Sequence, residues 1–235
     1  MMKVKELKEK RYIVAFLDLL GASKIMESDR SQEFLVKINK VFEDTERTAY
    51  EKYKEYFRDI RIIAFSDNIA FARKIPEKYE MVTMHRCIKV MEFISFINIF
   101  LGAALEKGLL FRGGVTIGNL YIDEKMIWGK ALVDAHALEE KVAIFPRVVI
   151  SKELYNWMKA EGMKWWGIKQ DFDRVWFVDH FHSVTRGKEV LIEKIKELAE
   201  QGKKDNAENE SVLQKYEWLE RYAQQAEEAE QDEAK

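Results

Sequence analysis

Two apolar segments, each broken by a single carboxylate, constrain this chain more than any other feature. Residues 14–22 read VAFLDLLGA and residues 62–72 read IIAFSDNIAFA. Runs this apolar suit strands covered on both faces, and Asp18 and Asp67 each stand at the polar end of one. A lone charge in such a strand is costly unless something pairs with it. Two of them suggest a divalent cation held by oxygen ligands; the alternative is two unrelated Asp residues at strand ends. The first strand runs into Leu19, Leu20, Gly21 and Ala22 and then a helical pattern. Such a strand-to-helix turn leaves backbone N–H groups free for phosphate. Together the two segments suggest a site for metal and a nucleoside triphosphate.

The rest of the pattern predicts a mixed α+β chain. Phe34, Leu35, Ile38, Val41, Phe42, Thr45 and Ala49 recur at helical spacing within residues 31–57. Residues 60–65 and 69–73 are predicted strands joined by a tight turn at Ser66-Asp67-Asn68. Pro76 opens a second long helix over 77–106, closed by Gly108. Two strands, 109–117 and 120–128, are expected around a turn at Gly118-Asn119, with a further small turn at Asp123-Glu124-Lys125. A helix over 129–142, a strand at 147–150, a helix capped by Ser151 and a final strand region at 175–181 follow. The order β-α-β-β-α-β-β, with a small αβ extension, suits a ferredoxin-like or palm-like sheet with two long helices on one face. Beyond residue 187 come two helical segments around a polar break at 202–210. From Ala226 the chain is acidic and poor in apolar residues, which predicts a disordered tail. The expected divisions are a lead at 1–11, a main domain at 12–186, a helical extension at 187–225 and the tail at 226–235.

Composition narrows the partners. The 235 residues are 47% hydrophobic with a formal net charge of −2, enough apolar surface for a sizeable core and no basic footprint for nucleic acid. The one cysteine, Cys87, sits in a helical apolar pattern, so no disulfide framework exists and a reducing cytoplasm fits. The charged N-terminus lacks a leader's apolar stretch, and no uninterrupted apolar run reaches membrane-spanning length. A cytoplasmic chain with no membrane contact is the expectation. His85, His180 and His182 show no metal-ligand spacing.

Five segments carry a resemblance. FLDLLGAS (16–23), FSDNIAFA (65–72), FRGGVTIGNL (111–120), WGKALVDAHALEE (128–140) and FPRVVIS (145–151) resemble, in order, the metal-binding strands, the R-x-G strand, the last core helix and the following strand of class III nucleotidyl cyclases. The chain departs from the purine cyclases of that superfamily. Ile63 stands where their base-selecting Lys would be, and Val133 and Ala137 stand where their ribose-binding Asn and transition-state Arg would be. The retained segments, together with KYEWLERY (215–222), resemble the bacterial pyrimidine cyclases of Pycsar antiphage defence.

That resemblance implies a class III cyclase core with a C-terminal helical extension. It implies an activity, conversion of UTP or CTP to cyclic UMP or cyclic CMP plus pyrophosphate, with UTP favoured. Two Mg²⁺ or Mn²⁺ ions per site would be held at Asp18, Leu19 and Asp67. The backbone of Leu19, Leu20, Gly21 and Ala22 would cradle the phosphates and Arg112 would reach the triphosphate; the alternative for Arg112 is a strand-edge surface residue. Ser66 would brace the metal turn and Tyr50 would face the base, although a helix aromatic is more often packing. Asp134 and His136 would contact nucleotide or face solvent, Lys169 would supply a late phosphate contact, and Arg147 would make a structural salt bridge. Sites of this family form between two head-to-tail cores, which implies a homodimer; Trp157, Trp165 and Trp166 offer either interface or core. The product would activate a separate effector protein. A purine cyclase with compensated departures, and a catalytically silent dimerisation or nucleotide-sensing module, are the other readings.

Overall fold

The computed structural model describes residues 7–77, 83–163, 167–182 and 187–233, with side chains at all of these except 50–56 and 232–233. Strand β1 (Lys10–Leu19) is the middle of everything. Its period-two alternation sends Ile13, Ala15, Leu17 and Leu19 to one face and Val14 and Phe16 to the other, and both sets are buried. A strand covered on both faces must be apolar at every position, which is why this run is nearly continuous.

Strand β1 pairs antiparallel with β3 (Asn68–Lys74) on one side and with β4 (Phe111–Ile122) on the other. The first edge is completed by β2 (Arg61–Phe65), in hairpin with β3. Beyond β4 come β6 (Val148–Ile150), parallel to it, then β8 (Trp176–Val178) and β7 (Ile168–Gln170), both antiparallel. A two-residue strand, β5 (Ile127–Trp128), folds back on β4. The order is β2-β3-β1-β4-β6-β8-β7, an α+β sheet that is antiparallel except at one pairing.

The first face is covered by α2 (Ser31–Phe57), α3 (Thr83–Glu106) and α5 (Lys152–Ala160), whose apolar residues join those of the sheet in the main core. Ser151 caps α5 by accepting from the Leu154 amide. By length and composition α3 would cross a membrane, which the absence of an unbroken apolar run did not suggest. It is instead a core helix, packed against the sheet and α2, and apolar nearly all round for that reason. The expected first turn of this helix falls at 78–82, outside the described residues. The second face is covered by α4 (Lys130–Lys141), whose Ala131 and Ala135 lie on Val14, Phe16, Ala70 and Leu120. A short α1 (Ala22–Met26) leads from β1 towards α2. Finally α6 (Lys188–Asp205) and α7 (Glu210–Glu233) form a hairpin around Trp218, Leu219 and Tyr222, sharing a second core with Leu105, Phe177 and Phe181.

Two expectations are corrected. The turn predicted at Gly118-Asn119 does not exist: β4 runs unbroken from Phe111 to Ile122, and the reversal comes at the small turn expected at Asp123-Glu124-Lys125, where the Asp123 carboxylate accepts from the Lys125 and Met126 amides. Gly118 is a strand residue lying under Ala131 of α4. Nor does the acidic stretch from Ala226 fray, since α7 continues to Glu233. Ala226 is buried in the second core, Glu227 meets Lys196 at 2.9 Å and Glu230 meets Lys188 at 3.4 Å. The acids face lysines of the neighbouring helix, so their charge suits the fold.

Candidate active site

The site grows from the face of β1 that carries α4. Asp18 continues the Val14, Phe16 alternation onto that face. Its neighbour across the β1–β4 pairing is Arg112, and the guanidinium Nε donates to Asp18 Oδ2 at 3.1 Å. The same guanidinium reaches Glu139 of α4, with Nη2 at 2.6 Å from Oε1. That reach exists because α4 lies unusually close to β4. A Cβ on Gly114 would run into Leu138 and the Ala135 carbonyl oxygen, and one on Gly113 into the Phe16 carbonyl oxygen. The Arg-Gly-Gly sequence is therefore an arginine followed by the bare backbone that lets the helix and its glutamate settle against it.

Asp67 reaches the same place by another route. Ser66 and Asp67 are the two-residue loop of the β2–β3 hairpin, closed by the Phe65–Asn68 pair. Ser66 has φ 56°, the left-handed region that a primed hairpin turn demands and that a serine adopts at some cost. The loop is tied to β1, because the Leu19 amide donates to the Asp67 carbonyl oxygen at 3.0 Å and Asp18 pairs with Asn68. Asn68 in turn donates to Asp67 Oδ1 at 2.9 Å.

The electrostatics agree with this clustering. Burial pushes the Asp18 carboxyl above its ordinary range, the Arg112 bond pulls it back and the Asp67 charge pushes it up again. Glu139, only 5% exposed at its side chain, is likewise raised, first by burial and further by Asp18, with Arg112 opposing. Lys215 on α7 also belongs to this field. Burial lowers its ammonium, the Arg112 charge lowers it further, and Asp18 opposes.

No family model matches the sequence, and no curated protein does. Solved structures do. The guanylyl cyclase domain of the RhoGC fusion protein from the aquatic fungus Blastocladiella emersonii matches at 15% identity over 74% of this chain and 98% of that one, with a TM-score of 0.50. The guanylyl cyclase Cya2 matches at 14% identity over 74% and 94%, with a TM-score of 0.51. A bacterial light-regulated adenylyl cyclase matches at 13% identity over 94% and 59%, with a TM-score of 0.50. The fold is that of the class III nucleotide cyclases.

On this cyclase fold the expected site residues distribute unevenly. Asp18, Asp67 and Arg112 come together, and Arg112 is no surface residue, since it bridges two carboxylates. Leu19 and Leu20 have spent their amides, on the Asp67 and Leu110 carbonyl oxygens. A phosphate cradle would therefore fall to the amides of Gly21 and Ala22, where Gly21 turns the chain with φ 80°. Ser66 is exposed and its hydroxyl approaches Met26 Sδ at 3.9 Å. Tyr50 lies in α2 with its side chain outside the described residues, as do Trp165 and Trp166 altogether. Lys169 sits over the Tyr222 ring, 5.8 Å from its centroid. Asp134 pairs with Lys130 at 2.6 Å on the outer side of α4, and His136 stands edge-on to Phe16. Arg147 is wholly buried between Asp171 and Asp173, the structural role expected of it. Trp157 packs against the main core, and burial raises the Cys87 thiol, which suits an inert side chain.

Among the described residues no group of three or more His, Cys, Asp or Glu could hold a metal by itself. The donor set nonetheless fits Mg²⁺ or Mn²⁺. Such ions are commonly held by one or two carboxylates plus substrate phosphates rather than by an all-protein cage, and Asp18 and Asp67 supply two carboxylates close enough to repel each other. Sequence reading missed Glu139. It closes the A-x-x-L-E helix pattern, and its signal was there: an acid on the sheet-facing stripe of a helix, at the same i, i+4 spacing as Ala131 and Ala135.

Proposed function

We propose that this chain is a nucleotide cyclase that converts a pyrimidine nucleoside triphosphate, UTP in preference to CTP, to its 3′,5′-cyclic monophosphate and pyrophosphate, working as a homodimer. The observation that carries the reading is the convergence of Asp18, Asp67 and Arg112 at the ends of bonded strands on a cyclase fold. In the reaction the ribose 3′-hydroxyl attacks the α-phosphorus in line and pyrophosphate departs. Divalent cations bound at the two carboxylates would make that hydroxyl more acidic and neutralise the leaving charge. Asp18 and Asp67 would hold them, with the Leu19 main chain alongside. Arg112 exchanges its bond to Asp18 for a phosphate oxygen while Glu139 keeps the guanidinium aimed, and its planar fork suits that partner.

The pyrimidine preference rests on the sequence's departures from the purine cyclases. Ile63, Val133 and Ala137 occupy the positions of the purine cyclases' Lys, Asn and Arg, and Val133 is exposed on the outer side of α4. The homodimer rests on the resemblance, and exposed large apolar side chains are consistent with it: Trp128, 72% exposed at β5, and Val133 on the outer side of α4. A C2 partner covering them would bring its own copy of α4 alongside. The sequence resemblance alone carries a further part of the proposal, that the product is a second messenger of cytoplasmic antiphage defence acting on a separate effector protein.

A purine cyclase is the second reading, favoured by the guanylyl and adenylyl cyclases among the matching structures. Purified protein incubated with ATP, GTP, CTP or UTP and Mn²⁺, with products identified by mass spectrometry, separates the two. Cyclic UMP or cyclic CMP, lost in Asp67→Ala, is the expected result. Cyclic AMP or cyclic GMP alone would replace the first reading by the second. No product from a folded wild-type dimer would favour a silent module.

A further inference from the structure

Arg112 is followed by Gly113 and Gly114, so the strand that carries it has no side chain there to hold it in place. Its backbone must be held by its neighbours. On one side is β1, the long central strand. On the other is β6, three residues long, which runs parallel to β4 and joins β8 at the Val149–Phe177 pair. A parallel ladder this short is a weak fixture.

What holds the start of β6 lies outside the ladder. The Gly113 amide donates at 3.1 Å to the carbonyl oxygen of Arg147, the residue directly before β6. The Arg147 side chain is fully buried and clamped by Asp171 and Asp173 of the β7–β8 loop, with Nη1 donating to Asp173 Oδ1 at 3.0 Å. Asp171 Oδ2 also accepts from Trp218 Nε1 of α7 at 2.6 Å. The same indole lies parallel to the Phe145 ring, with centroids 6.0 Å apart, and the Arg147 guanidinium sits over that ring. A continuous chain of contacts therefore leads from α7 through Asp171 and Arg147 to the backbone of Gly113, next to Arg112. On the other flank Leu110 packs on the second core, which the α6–α7 hairpin builds. Its carbonyl oxygen accepts from the Leu20 amide at 2.9 Å, at the entry to the Gly21 turn. Both flanks of Arg112 lean on the hairpin.

Packing alone does not call for this arrangement. A buried arginine between carboxylates gives little net stability, because desolvation offsets the attraction, and apolar residues of similar volume would hold a helix as well. The best-attested use of such a group is to fix one register against its alternatives. We infer that Trp218 and Asp171 are positioning residues for Arg112: acting through the buried Arg147 they fix where β6 meets β4, so that the docked α6–α7 hairpin sets the aim of the guanidinium at the substrate's phosphates. This rests on the cyclase reading for what Arg112 does, and on the contacts alone for where it is held.

The test follows the Arg112 side chain directly. In the full chain with isotope-labelled arginine, the NMR signal of the Arg112 Nε–H, assigned by its loss in Arg112→Lys, reports the bond to Asp18. Trp218→Phe keeps a ring against Phe145 and removes the donor to Asp171. Asp171→Asn keeps the shape and removes the charge, and serves should the first variant fold poorly. Each should move the Arg112 signal and speed exchange of its proton with water. Each should also lower kcat about tenfold or more per folded molecule, because a small displacement of a positioned group acts on the rate. Tyr222→Phe is the control. It removes a buried hydroxyl from the same helix, but one bonded to Asp179 and the His180 amide. It should lower the melting temperature while leaving the Arg112 signal and kcat as in the wild type. An unmoved Arg112 signal in Trp218→Phe and Asp171→Asn, an equal shift in Tyr222→Phe, or wild-type turnover despite a shift overturns the inference. The two readings separate cleanly. A signal that moves in both variants and not in the control, with no cyclic product from the wild type, keeps the brace on Arg112 and removes the cyclase. Cyclic product with an unmoved signal keeps the cyclase and removes the brace.

Discussion

Replacing Arg112 by methionine strands two carboxylates at once, and one of them has almost no access to water. Glu139 is 5% exposed and Asp18 19%. Deleting one partner of a buried ion pair costs about 3–5 kcal/mol. Because Asp18 and Arg112 keep some contact with solvent, the lower end, about 3 kcal/mol, is the expectation. For a chain of this size that lowers the melting temperature by roughly 6–12 °C. The loss should depend on pH in a particular direction. Burial already holds the Glu139 carboxyl above its ordinary range, with Arg112 pulling it down, so Arg112→Met raises it further. A carboxyl that binds its proton more tightly folded than unfolded contributes full stability below its unfolded pKa. That contribution is lost as pH rises through the folded value. The deficit of the variant should therefore be small near pH 5 and full at pH 8. Thermal unfolding followed by circular dichroism at the two pH values measures it, and Arg112→Met with Glu139→Gln should recover most of the loss at pH 8. An equal deficit at both pH values, or a double variant no better than the single one, would refute the picture of Glu139 as a buried charge held by Arg112.

Three further outcomes are expected. Gly114→Ala puts a methyl against Leu138 and the Ala135 carbonyl oxygen. It should cost roughly 2–3 kcal/mol by overpacking, read as a lower melting temperature, together with reduced activity as α4 lifts Glu139 away from Arg112. His180 is fully buried with neither ring nitrogen partnered among the described residues, and burial lowers its pKa from 6.5 to about 4. Its contribution is present above pH 6.5 and lost as pH falls towards 4, by roughly 3 kcal/mol at about 1.4 kcal/mol per pH unit. His180→Phe should flatten the wild type's loss of denaturant stability across that range. Trp128→Glu, at a 72% exposed position, should leave the monomer's circular dichroism and melting unchanged while shifting sedimentation to the monomer and abolishing cyclic product.

The elements that were legible in the sequence are those whose signal is local. Helix α2 begins at Ser31 and ends at Phe57 as its periodicity predicts, and the Ser66-Asp67 loop is the hairpin turn its strands demand. The misreadings share one cause, a residue whose meaning is set by a partner distant in the chain. Gly118 resembles a turn residue until Ala131 is seen above it. The acids after Ala226 resemble a solvated tail until Lys188 and Lys196 stand opposite. In the site, Asp18 and Asp67 were legible because each interrupts an apolar pattern, and Arg112 through the R-x-G resemblance. Glu139 was not, because a charge on an amphipathic helix is unremarkable until its buried side is known. The structural role of Arg147 was the exception, read correctly from its place beside Pro146 at a strand start.

The alternation of β1 has a consequence for how such a protein can change over time. The residues that pack the core of the sheet point towards α2 and α3, whereas Asp18, Arg112 and the outer surface of α4 lie on the opposite side. Positions on that opposite side, such as the exposed Val133 on the outer surface of α4, can then drift without touching either the packing beneath the sheet or the carboxylates at its rim. One inherited chassis can present a new outer surface to whatever binds there by substitutions whose effect on folding is small.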